Sequence, residues 1–239
     1  LVGSEMCIRD RAWTEPGRGD DLVAWLDSMR FMMRVQVRRH ADLAVVWTGA
    51  DVATDQGDVV ARLTSQIAGG TEFIVPMGER ADPQTVQFGN HVDTEPVGVL
   101  AWEATRIASG IPRIGLDTDA RTIPNEIGLY ATHLDKGCYR GQETVARVHN
   151  LGRPPRRLTM LMLDGSDAEL PDPGASVILE GRKVGQLGGV AMHHELGPVG
   201  LALLKRNVSV DSVLTVDGVA ASQTILVDPE VGLHVRPQL

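Results

Sequence analysis

From Leu158 onward, short apolar runs alternate with turn-forming pairs at close intervals, and this spacing restricts the fold more than any other feature. Asp164-Gly165, Asp172-Pro173-Gly174, Glu180-Gly181 and Asp217-Gly218 are turn signals. Between them, Leu158 to Leu163, Val177 to Leu179, Lys183 to Leu187, Val199 to Leu204 and Ser212 to Val216 read as strands. Several short strands at such spacing close best as a small antiparallel β-barrel. His193-His194 is the one pair that resembles a metal site. Adjacent residues on a strand face opposite ways and no cysteine or carboxylate cluster joins them, so no metal is expected there. Lys205-Arg206 is expected to end a strand at the barrel rim.

Upstream the texture is mixed. Asp20 and Asp21 open a helix in which Leu22, Val23, Trp25, Leu26, Met29 and Met33 recur at helical spacing. Its Met-rich end reads as core filler. Val35 to Arg38, Leu43 to Thr48 and Thr71 to Val75 read as strands, the last closed by Pro76, and Val52 to Gly57 as loop or a short helix. Pro96 to Ala108 is a helix, ended by Gly110 and barred from continuing by Pro112. Asp117 to Pro124 is polar and turn-rich, either padding or a binding edge. The Pro/Gly/Arg stretch Asn150 to Arg157 is a hinge. The expected division is therefore an α/β region over 12–154 and a barrel over 155–239. Residues 1–11 show no periodicity and resemble a translated sequencing adapter, so they are expected to be a non-native leader in which Cys7 carries no meaning.

Composition excludes some classes. The chain has 239 residues, a hydrophobic fraction of 43% and a formal net charge of −8. Its densest basic run, Arg153 to Arg157, is broken by prolines, so no nucleic-acid partner is expected. Two cysteines make no disulfide framework, which points to a reducing, cytoplasmic setting. No apolar run approaches membrane-spanning length, so no membrane partner is expected. A monomer is expected.

The chemistry concentrates in Lys136-Gly137-Cys138-Tyr139-Arg140-Gly141-Gln142-Glu143-Thr144-Val145-Ala146-Arg147. Gly137 and Gly141 permit positive φ or the close approach of a ligand. Gln142 to His149 can continue as a short helix. Cys138 then precedes a helix N-terminus and stands beside Lys136 and Arg140, and both features favour thiolate over thiol. The competing reading is a small buried apolar residue, as most lone cysteines are. Tyr139 is expected to pack under the turn. Gln142 and Glu143 are expected to hold it through backbone N–H groups, and Arg147 to pair with Glu143 at i,i+4.

Lys136-Gly137-Cys138-Tyr139-x-Gly141-Gln142-Glu143 resembles the signature of the YgfZ-type folate-binding proteins. These are implicated in iron–sulfur cluster assembly or repair and are relatives of the glycine cleavage T-protein, an aminomethyltransferase. The resemblance extends to Arg106-Ile107-Ala108-Ser109-Gly110-Ile111-Pro112, to Ile123-Pro124-Asn125-Glu126, to Gly152-Arg153 and to the C-terminal strands. It implies an α+β protein: a T-protein-like α/β folate-binding region, expected here to lack its opening strands, followed by the barrel. It implies tetrahydrofolate as cofactor, with Glu126, Lys136, Arg140 and Arg106 as contacts and Glu126 on the pterin. Cys138 becomes the reactive group. Gly137, Tyr139, Gly141, Gln142, Glu143 and Arg147 become the motif's framework. T-proteins have Glu where Ala108 stands, and their key Asp belongs to the N-terminal part.

Two functions of different class follow. The first is a folate-binding factor, more scaffold than enzyme, that serves iron–sulfur client or assembly proteins. One cysteine cannot hold a cluster alone, since four protein ligands are usual, so Cys138 acts transiently. The second is an aminomethyltransferase passing a one-carbon unit to tetrahydrofolate. The Lys-Gly-Cys-Tyr signature, absent from T-proteins, favours the first. A thiol redox protein is disfavoured, because no second cysteine is available to resolve a mixed disulfide.

Overall fold

The computed structural model describes residues 10–49, 59–76, 97–129, 137–139, 141–151, 153–166 and 169–230. Cα packing divides the chain into two compact units, Leu1–Ser65 with Gly69–Thr94, and Gln66–Ala68 with Glu95–Leu239. The expected division at 154/155 falls inside the second unit.

In the first unit, helix α1 spans Gly19–Met29 with Asp20 and Asp21 in its first turn, where carboxylates meet the positive end of the helix dipole. It stops short of Met33 because Phe31 adopts a left-handed φ of 47°. Met32 and Met33 are exposed rather than core filler. Strands β1 (Leu43–Thr48), β2 (Ala61–Thr64) and β3 (Thr71–Pro76) form an antiparallel sheet in the order β1-β3-β2. Phe73 and Val75 of the central strand are buried, with Ala44, Val46 and Val59 packed on them. The strand expected at Val35 to Arg38 does not form, and Val35 is half exposed with no sheet partner to bury it. Val52 to Gly57 lies outside the described residues.

The second unit contains the barrel. Its strands are β4 (Arg156–Leu163), β5 (Ser176–Leu179), β6 (Arg182–His193), β7 (Gly197–Lys205), β8 (Leu214–Val216) and β9 (Val219–Ile225). They close in the order β4-β7-β6-β5-β8-β9, and β9 pairs back onto β4 with Thr159 opposite Ile225. The expected small antiparallel barrel is present. Two of its hairpins, β5–β6 and β8–β9, use turns read from sequence. Glu180-Gly181 and Asp217-Gly218 have positive φ at both positions, the geometry whose twist matches the flanking strands.

One core fills the barrel: Leu161, Leu163, Val177, Leu187, Leu204, Leu214 and Val216 among others. A second lies on its outer face, where Leu158, Met160, Val199, Leu201 and Leu203 meet Ala104 and Ile107 of helix α2 (Val99–Ala108). Strand β7 is thus covered on both sides, which is why Val199 to Leu204 reads as an unbroken apolar run rather than an alternating one. Burying Ile107 fully contributes about 1.5–3 kcal/mol to holding the helix there. Helix α2 ends at Gly110, whose φ of 71° lets the N–H groups of Gly110 and Ile111 turn back to the Ile107 and Arg106 carbonyls. A short 3-10 helix, Pro124–Ile127, and helix α3, Gln142–Leu151, complete this unit.

Candidate functional site

Three polar constellations stand out in the second unit. The first fastens helix α2 to the barrel. Arg106 is fully buried. Its Nε and Nη2 donate to Glu103 Oε2 at 3.0 and 2.7 Å, and its Nη1 donates to Asp117 Oδ2 at 2.8 Å and to the Ile111 carbonyl. Arg113 closes the ring by donating to Glu103 from its side chain and to Asp117 Oδ2 from its N–H at 2.7 Å. The other Asp117 oxygen accepts the Gly189 N–H at 2.6 Å. That contact is possible because β6 bulges between Leu187 and Val190. At Gly188 an added Cβ would lie 2.3 Å from Asp117 Oδ1, and at Gly189 one would lie 2.6 Å from Arg106 Nη2. The two glycines are a socket for the charged pair.

The second constellation is centred on Arg156, the first residue of β4. Its Nε and Nη2 donate to Glu126 Oε1 and Oε2 at 2.9 and 2.8 Å, and its Nη1 donates to Asp119 Oδ2 at 2.7 Å. Glu126 is fully buried and also reaches back to the Ile123 N–H at 3.1 Å, capping its own 3-10 helix. Arg156 holds the Asp119 carboxyl well below its ordinary value of 3.8, with Thr122 and the Arg121 N–H assisting and burial opposing. A carboxylate whose folded pKa is depressed stabilises the fold above its unfolded pKa and loses that contribution as pH falls through the folded value. Acid should therefore lower the melting temperature from about pH 4 downward, and Asp119→Asn should flatten part of that slope. The Asp119 side chain is 52% exposed, so the contribution is at most about 1 kcal/mol. A variant whose pH profile runs parallel to the parent's would show that Asp119 adds nothing.

The third constellation is the Gly-Cys turn. Cys138 is exposed. The Tyr139 N–H donates to Gln142 Oε1 at 3.1 Å, the bond expected of Gln142. Gly141 has a φ of 82°, and its carbonyl accepts the first bonds of α3 from Thr144 and Val145. An added Cβ at Gly137 or Gly141 would meet no atom of the described residues within 4 Å. Val145 and Val148 carry the buried face of α3. Glu143 and Arg147 are exposed, and the ion pair expected between them is not formed. Lys136 and Arg140 lie outside the described residues.

The expected folate contacts are thus placed apart in role. Arg106 and Glu126 are internal anchors, each with its charge spent on a protein partner. Cys138 stands in a separate, exposed turn, and no hydrogen bond among the described residues joins these three. Sequence reasoning missed Asp117, Arg156 and the Gly188-Gly189 socket. The glycine pair was the available signal, because consecutive glycines inside a strand mark a bulge or a close approach.

The barrel strands are the part of the chain that matches a described family. Residues 156–226, from the first residue of β4 to just past β9, match the family described as CAF17, C-terminal beta-barrel domain. The resemblance to the YgfZ-type proteins holds, as three relatives indicate. A putative chloroplastic transferase of Arabidopsis thaliana is 37% identical over 93 residues, 38% of this chain and 21% of that protein. The tRNA-modifying protein YgfZ of Colwellia psychrerythraea is 36% identical over 80 residues, 32% of this chain and 24% of its own length. The Escherichia coli protein of the same name is 37% identical over 82 residues, 33% and 24% respectively. The matches span less than a quarter of the length of these relatives.

Proposed function

We propose that this chain is part of a tetrahydrofolate-binding protein that assists iron–sulfur cluster assembly or repair, with Cys138 as its reactive group. The observation that carries this reading is the exposed thiol in a turn pre-set by Gly141 and Gln142, within the stretch that resembles the YgfZ signature. An exposed thiol on a fixed turn can be presented to another protein, as a thiol partner or a shared cluster ligand. Among the described residues no group of three or more His, Cys, Asp or Glu side chains could hold a metal, so in this proposal the other cluster ligands come from a client.

Neither Glu126 nor Arg106 is free to contact a pterin as placed. Glu126 is buried, with both oxygens engaged, and Arg106 has its donors turned onto Glu103 and Asp117. Folate binding is proposed on the likeness to YgfZ-type proteins alone, with Lys136 and Arg140 as contacts. Glu126 joins those contacts only if Arg156 releases it.

Several relatives are named for tRNA modification. With a net charge of −8, any such link is proposed here to run through a protein client rather than through RNA contact. Among the described residues no helix is long and apolar enough to cross a membrane. A cytoplasmic setting belongs to the proposal, and one relative is chloroplastic.

The test combines labelling with complementation. Cys138 should react with iodoacetamide in the folded protein. Cys138→Ser should unfold as the parent does yet fail to restore iron–sulfur enzyme activity in cells lacking their own copy. A thiol labelled only on unfolding, or full rescue by the serine variant, overturns the reading. Transfer of a one-carbon unit to tetrahydrofolate by the purified chain would instead support the aminomethyltransferase alternative, with which the name of the Arabidopsis relative agrees.

A further inference from the structure

The turn-rich segment 114–120 and barrel strands β6 and β7 enclose an open cleft of about 830 Å³, within the range that holds small organic ligands. Its lining is chemically uneven. The acids on its wall are spent: Asp117 on Arg106 and two backbone N–H groups, Asp119 on Arg156 and the Arg121 N–H. The lysines are not. Lys183 and Lys205 both line the cleft, and neither is in an ion pair with a described carboxylate. Lys205 also stands directly opposite Arg156 in the β4–β7 register. Arg156 is already matched by Glu126 and Asp119, whereas no described carboxylate pairs with the Lys205 ammonium. The same cleft carries apolar surface from Leu203, Leu116 and Ile114, the last 90% exposed. Two unspent ammonium groups beside an apolar wall, in a chain of net charge −8, form a local reversal of the protein's overall charge.

We propose that this cleft is a binding site for a small organic oxyanion, a phosphate or carboxylate borne on an apolar body. Lys183 and Lys205 hold the anionic group, and Ile114 and Leu116 cover the body. The site uses neither Cys138 nor Glu126, so it stands or falls separately from the folate proposal.

Titration calorimetry of the whole chain tests it, with phenyl phosphate, benzoate, inorganic phosphate and benzyl alcohol as probes. At least one aromatic anion should bind saturably at one site and bind more weakly at high salt. Comparing phenyl phosphate with benzoate tells which oxyanion the lysines prefer. The double variant Lys183→Ala/Lys205→Ala should weaken that binding at least tenfold, whereas Cys138→Ser should leave it unchanged. Both lysines are exposed, so the fold should survive, as a circular dichroism melt will show. The proposal is overturned if neither aromatic anion binds or if the double variant binds as the parent does. Benzyl alcohol or inorganic phosphate matching the aromatic anions would also overturn it.

Discussion

Replacing Asp117 by alanine should lower the unfolding free energy by about 3–5 kcal/mol, the cost of leaving a buried charge without its partner. Asp117 accepts from Arg106, from the Arg113 N–H and from the Gly189 N–H, and all three donors are left behind. Arg106 is 1% exposed and cannot turn to water. Glu103 still faces it, which keeps the loss below that of a fully stranded guanidinium. Asp117→Asn should fall between parent and alanine, because an amide keeps one good acceptor but presents its NH₂ to a donor. Urea unfolding gives the measurement, with an unchanged slope indicating that stability alone has moved. A loss under about 1 kcal/mol would mean that the ring is solvated and holds nothing.

Gly188→Ala should be nearly as damaging without removing any polar group. Its new methyl would lie 2.3 Å from Asp117 Oδ1 and 2.8 Å from Asp117 Cα, closer than non-bonded atoms can approach. Either β6 flattens its bulge or the 114–120 loop withdraws, and both break the bond from Gly189. Overpacking of about 1–3 kcal/mol adds to a charged hydrogen bond worth about 1.5–3 kcal/mol. At roughly 2–4 °C per kcal/mol for a unit of this size, the melting temperature should drop by about 5–24 °C. Gly98→Ala is the control. Nothing lies within 4 Å of its added Cβ and its φ is −65°, so it should cost under about 1 kcal/mol. Equal melting temperatures for Gly188→Ala and Gly98→Ala would dissolve the socket.

The two glycine variants also show which parts of the molecule were legible beforehand. The barrel was, because its information is local: Asp217-Gly218 sets its own turn, and Leu158 to Leu163 is buried wherever it goes. β9 was not read, because Val219–Ile225 buries little beyond Ala221 and so shows no apolar alternation. β2 escaped for the same reason, with only Ala61 partly covered. Val35 to Arg38 failed in the opposite way, since alternation without a neighbouring strand makes no sheet. At the candidate site, Cys138 was visible through its flanking glycines, a contiguous signal. The anchoring roles of Arg106 and Glu126 were not, because they depend on partners far along the chain. Asp117 meets Gly189 across 72 positions and Arg156 meets Glu126 across 30, and no periodicity encodes such pairings.

The return of β9 onto β4 has a consequence for how the protein emerges during synthesis. The ring's first strand and its last are each other's neighbours, so β4 must wait for Val219–Ile225 before one of its edges is filled. Until then a nascent chain shows an open ladder of N–H and C=O groups, the surface on which one chain most readily adds to another. The Arg157 guanidinium, buried within the wall, has a matching delay. Its Nη2 donates to Gln223 Oε1 at 2.7 Å and to the Val208 carbonyl at 3.2 Å, both supplied late. Pairings this distant in sequence are the slow ones to form. A chain stopped before Gln223 therefore carries an uncapped cation and an unfilled edge together, and the last short strand decides whether the barrel is a closed solid or a template for aggregation.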